Sequence, residues 1–175
     1  MHNIDVSIFD RGSTKSLFEW DGLQELISFI RNNIKNEYAS GDPLAPVAYI
    51  LFTENPHGEV LDEPAVAVIK PTDVTSFSRE AFLLQVSTLC VESKAIGVLL
   101  AFEGWLVEGS PEEIAEVNAG GLRELRKDVL VVSLEHRSLG KRLWRAMLTT
   151  KGLMTEIGPF DLADESLTQH MALLA

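Results

Sequence analysis

The chain has 175 residues and carries 26 acidic against 15 basic side chains, a net charge of −11. Phosphate contacts need lysine and arginine, so this balance counts against general nucleic-acid binding. The longest apolar run, Ala95–Phe102, is too short to cross a bilayer. The single cysteine, Cys90, excludes an internal disulfide.

The length suits one domain over residues 1–175, and composition is that of a soluble globular chain, 46% apolar and 23% charged. The N-terminus, MHNIDVSIFDRG, carries an early acid and lacks the basic-then-apolar pattern of a leader. A cytoplasmic protein is the expectation, and export without a cleavable leader is the alternative.

Residues 1–20 read as a short strand or arm. DGLQELISFIRNNIKNEY reads as a helix, with Asp21 as N-cap and Leu23, Leu26, Ile27, Ile30 and Ile34 on one face. The Gly and Pro of SGDPLAP stop it. VAYILFTE and PAVAVIKP read as strands, rich in β-branched and aromatic residues. The second helix is expected in TSFSREAFLLQVSTLCVES, capped by Ser78 and stapled by Phe77 and Phe82. Its apolar stripe is Phe82, Val86, Leu89 and Cys90. On that stripe Cys90 reads as a core residue rather than a nucleophile.

IGVLLAFEGWLVE gives the longest strand signal. Ser110, Pro111 and Glu113 then mark a short helical turn that ends at Gly120-Gly121. DVLVVSLEHR and KRLWRAMLTT form a hairpin through SLGK. Residues 153–175 form a tail, where DESLTQHMALLA places Leu167, Met171 and Leu174 on one face of a final helix.

The order is α-β-β-α-β-β-β, with a last helix as an option. Short links between consecutive strands imply an α+β fold, a roughly five-stranded antiparallel meander with helices packed on it. This order is similar to that of roadblock and profilin-like domains. The likeness is one of topology and brings no residues with it. AFEGWLVE and KDVLVVSLEHR resemble segments of uncharacterised bacterial and phage proteins, which implies no activity.

Side chains alternate along a strand. In the first hairpin strand Leu130, Val132, Leu134 and His136 form the better core set. Val129, Val131, Ser133, Glu135 and Arg137 face the other way. In the second, Trp144, Ala146 and Leu148 oppose Lys141, Leu143, Arg145, Met147 and Thr149. In the long strand the bulkier set is Ile96, Val98, Leu100 and Phe102. If each bulkier set faces the helices, the other sheet face is mixed. It would carry Leu99, Trp105, Val129, Val131, Leu143 and Met147 around Glu103, Ser133, Glu135, Arg137 and Arg145. Such a face needs a cover, which makes Trp105, Ser133, Glu135, Arg137, Leu143, Arg145 and Met147 the candidate interaction residues. Glu103 would need a partner there, and Arg145 or Arg137 is the obvious one.

Residues 121–151 hold eight basic and three acidic side chains, net +5, so the rest of the chain carries −16. This excess reads first as the solvated polar faces of two strands; the sharper reading is a basic ridge for an acidic partner or the acidic face of a second copy. Three readings of function follow. The first is a non-catalytic domain that binds a protein partner or itself, a homodimer included. The second is a small acid/base hydrolase using Glu103 and His136 in one cleft. The third is an acidic decoy for a basic groove. His57, Glu59 and Asp62, with Glu54 before them, are the candidate metal ligands. No cofactor motif is present, neither HExxH, paired CxxC, an EF-hand loop nor a Gly-rich phosphate loop.

Overall fold

The computed structural model describes residues 4–9, 19–39, 45–54, 57–73, 78–151, 154–158 and 161–162. In chain order they form β1 (Ile4–Phe9), α1 (Trp20–Ala39), β2 (Val47–Glu54), β3 (Val60–Pro71), α2 (Arg79–Glu92) and β4 (Gly97–Val107). Then come α3 (Pro111–Asn118), β5 (Arg126–His136), β6 (Gly140–Lys151), β7 (Met154–Ile157) and β8 (Asp161–Leu162). The class is α+β, and the expected order of elements runs from α1 to β6, with the short helix α3 between β4 and β5. The proposed final helix over 164–175 and the staple residue Phe77 lie outside the described residues.

The strands form one sheet in the order β1-β3-β2-β4-β5-β6-β7, with β8 also paired to β6. Every pairing is antiparallel. The first and third connections between strands each cross over a strand, while β2 and β3 are adjacent. The chain leaves β1, passes through α1 and lands beyond β3. It then leaves β3, passes through α2 and lands beyond β2, so β4 pairs with β2. Both crossovers move the same way along the sheet, but β1 and β3 run in opposite directions. Crossovers of one hand then place their helices on opposite faces.

The two cores follow from that arrangement. On one face Leu23, Leu26, Ile27, Ile30 and Ile34 of α1 pack on Tyr49 and Leu51 of β2, Leu99 and Ala101 of β4, Leu130, Val132 and Leu134 of β5, and Trp144 of β6. All five α1 residues expected on the apolar face are buried. Trp20 stacks on Trp144 with centroids 5.7 Å apart, which fixes the start of α1 to β6. On the other face Phe82, Leu83, Val86 and Cys90 of α2 pack on Ala48 and Ile50, Ala67 and Ile69, and Val98 and Leu100. Leu83 takes the fully buried place expected for Leu89, which is half-buried.

The caps are largely those expected. Ser78 accepts from the Ala81 amide at 3.3 Å. Ser110 and Glu113 form a reciprocal capping box around Pro111. α1 begins at Trp20, two residues before the start that an Asp21 cap implies, so Asp21 sits in its first turn rather than at the cap. Its carboxylate there still complements the positive end of the helix dipole.

Candidate functional site

The Glu135-His136-Arg137 run lies at the end of β5 and the start of the turn that follows. β5 is a regular strand through His136, paired in register with β4 and β6. Alternation therefore separates Glu135 from His136. His136 is 3% exposed at the end of the α1 core. Its Nδ1 accepts from the Ser138 amide at 3.1 Å and from the Leu139 amide at 3.2 Å. The imidazole thus closes the β5–β6 turn, and neutral histidine carrying its proton on Nε2 is the form that can do so. Gly140 ends that turn with φ +78°, the left-handed region where glycine has no steric cost. The ring lies against Gly97, directly across on β4.

On the opposite face the hairpin residues align as alternation requires. Val129 pairs with Met147, Val131 with Arg145, Ser133 with Leu143 and Glu135 with Lys141. Val129, Val131 and Leu143 form a third apolar cluster, which Phe102 links to the α2 core. They are only 4%, 8% and 4% exposed, so the centre of this face is closed to water within the chain. The rim is open. Met147 is 39% exposed, Arg137 is exposed, and Ser133, Glu135, Lys141 and Arg145 are half-buried. Arg137 is held by a 2.7 Å bond from its Nε to the Ala95 carbonyl.

Glu103 does not belong to this face. Leu99 and Ala101 pack under α1, so the row that continues to position 103 is on the α1 side. The side chain of Trp105 lies outside the described ones, and its backbone pairs with Asp128. The expected ion pair of Glu103 with Arg145 or Arg137 is therefore overturned. Arg145 shares a cross-sheet row with Val131 and Phe102, facing away from Glu103. Glu103 is exposed. On the other face, a hollow of about 250 Å³ lies at the start of α2, where the Arg79 guanidinium is 4.9 Å from the Phe102 ring centroid.

Nor does one cleft unite Glu103 with His136. Both lie on the α1 side, but His136 pairs with Gly97 and Glu103 with Leu130. Six positions along β4 separate them, about 20 Å at roughly 3.3 Å per residue. His57, Glu59 and Asp62 are exposed, and no group of three metal-ligating side chains occurs among the described residues. The exposed acids are divided between the two faces, with Asp21 and Glu25 on α1 and Glu80 and Glu92 on α2. That division weighs against one acidic stripe for a decoy. Among the described residues no helix is long and apolar enough to cross a membrane.

The Cys90 thiol is 1% exposed and is pushed up to about 12, first by burial and then by the Glu135 carboxylate, with Arg137 opposing. Thiolate is the reactive species, so this thiol is inert. Labelling by a disulfide reagent at pH 8 is expected to be on the order of a thousandfold slower in the folded than in the unfolded chain. Stability falls as the pH rises above the ordinary thiol value of 9.0, because the unfolded chain then releases a proton that the folded chain retains. Equal labelling rates in both states would show that Cys90 is reachable.

A second hollow, of about 300 Å³, opens between the last turns of α1 and strands β2 and β3. Tyr49 and Val68, paired across the strands, form its floor with Val47 and Ile34. Lys70 Nζ of β3 meets Glu37 Oε1 of α1 at 2.8 Å across its mouth. Burial, and then the nearby Glu37 carboxylate, push the Tyr49 hydroxyl well above its usual range, so it stays a neutral donor. Local sequence gives no sign of this hollow. Its residues come from three elements that only the fold brings together.

Comparison with known protein families, with curated proteins and with solved structures finds no match.

Proposed function

We propose that the chain is a non-catalytic interaction domain that associates with a second copy through the β5–β6 side of the sheet face opposite α1. The observation that carries this reading is the rim of that face. Arg137, Lys141, Arg145 and Met147 surround a closed apolar centre, with Glu135 among them. Arginine and methionine are enriched at protein interfaces, and a positive rim selects an acidic partner. The same chain supplies one. Glu112, Glu113 and Glu116 are exposed on α3, and residues outside 121–151 carry −16. A lone buried thiol suits the reducing cytoplasm.

Light scattering across concentration, at low and at high salt, tests the reading. The native chain is expected to gain mass with concentration at low salt and to lose that gain at high salt. Arg145→Glu combined with Met147→Glu is expected to abolish it, since both side chains reach the rim. A native chain that stays monomeric at every concentration overturns self-association.

A further inference from the structure

We propose that α2 is the part of the second copy that the β5–β6 rim receives, with the outer face of α2 lying along that rim. This rests on the docking reading above and names the surface that meets it. From Ala81 to Val91 α2 carries no charged residue. Its inner side chains Phe82, Leu83, Val86 and Cys90 are buried on the sheet, yet Leu84 is 69% and Val91 53% exposed on the outside. Thr88, between them at helical spacing, turns its hydroxyl back to the Leu84 carbonyl at 2.9 Å. A helix that is apolar all round is one covered on both sides. α3 also carries exposed acids, but its exposed large apolar side chain is Ile114, at only 37%.

The shape of the face makes a second copy the occupant. α2 packs on β2, β3 and β4. Among the described residues no helix joins the Val129, Val131 and Leu143 cluster beside it. The face is therefore a ridge next to a step. A two-fold axis parallel to the strands seats each ridge over the other copy's step, an isologous contact that closes at two chains. The charges agree with this register. Arg79 lies against Phe102, Phe102 pairs with Val131, and Val131 with Arg145, so the start of α2 is level with Arg145. At the other end Ala95, whose amide bonds the Cys90 carbonyl, accepts from Arg137. Such an axis keeps these levels. It brings the exposed Glu80 of one copy to Arg145 of the other, and the exposed Glu92 to Arg137 and Lys141. Leu84 then falls between them, on the aliphatic stems of Arg145 and Lys141, so the closed centre beneath stays closed.

Light scattering of full-chain variants at low salt tests this. Leu84→Ser combined with Val91→Ser is expected to weaken self-association at least about tenfold. The melting temperature is expected to stay near the native one, because both side chains are exposed. Glu80→Arg and Arg145→Glu are each expected to weaken association about tenfold, and the chain carrying both is expected to regain most of that loss, since the pair is restored with its signs exchanged. A native chain that stays monomeric overturns the docking reading and this inference with it. A Leu84 and Val91 variant that associates like the native chain overturns the place of α2 and leaves the rim reading intact. A double charge variant no stronger than either single one overturns the pairing of Glu80 with Arg145.

Discussion

Replacing Leu130 by alanine is expected to destabilise the fold by about 2–5 kcal/mol, the range for emptying a fully packed leucine site. Leu130 is 0% exposed and sits in the α1 core with Leu26, Ile30, Leu99 and Trp144. The neighbouring Val131→Ala is expected to cost less. Val131 is 8% exposed, offers fewer carbons, and points into the small cluster of Val129, Leu143 and Phe102. Urea unfolding of both variants checks the assignment of faces. A larger loss at Val131 than at Leu130 would reverse it.

The second large effect concerns Gly97 and His136. A Cβ at position 97 would meet the imidazole Cδ2 at 2.9 Å and the Glu135 carbonyl at 3.4 Å. The Gly97 backbone is not in the left-handed region, so only this contact opposes a side chain there. Gly97→Ala is expected to cost about 1–3 kcal/mol, the usual scale of overpacking. His136→Ala removes the acceptor for the Ser138 and Leu139 amides and leaves a void, at a similar cost of about 1–3 kcal/mol. The double variant is expected to lose less than the sum, because without the ring the added methyl has room. The coupling should fall between about 0.5 and 3 kcal/mol. Strictly additive losses in urea unfolding would mean that the ring does not limit position 97.

This arrangement bears on the docking reading. The β5–β6 turn carries Arg137, with Lys141 just beyond it on β6, and it is held by His136 from inside the core and by the Arg137 bond to Ala95. A rigid turn presents its charges without first having to be ordered, which removes part of the entropic cost of association.

How far each side chain could be read from sequence depended on how many faces of its strand are covered. α1 was legible because only one stripe of it meets the sheet, so Leu23, Leu26, Ile27, Ile30 and Ile34 stand out at helical spacing. The cap of α2 and the capping box of α3 were legible because their partners lie within three residues. β5 was legible because Leu130, Val132 and Leu134 contrast with Ser133 and Glu135. β4 was not. It pairs between β2 and β5, with α1 on one face and α2 on the other, so Leu99 and Ala101 are as buried as Val98 and Leu100. A strand covered on both sides reads as a continuous apolar run, and its alternation says nothing about which face is which. Taking the bulkier set as the helix side is true for both β4 and β5, but the helices concerned are α2 for one and α1 for the other. That is why Glu103 was expected beside Arg145 and lies on the other side of the sheet.

The sequence by itself determined the elements from α1 to β6, their order, the α+β class and the strand alternation that separates Glu135 from His136, since each rests on periodicity or on contacts between near neighbours, while β7 and β8 lie in what reads as a tail. The tertiary structure alone decided that β4 lands beside β2, that the two helices take opposite faces, and that Glu37, Tyr49 and Lys70 meet around one hollow. Those outcomes depend on the direction in which each crossover passes the sheet, and no local pattern of residues records that direction.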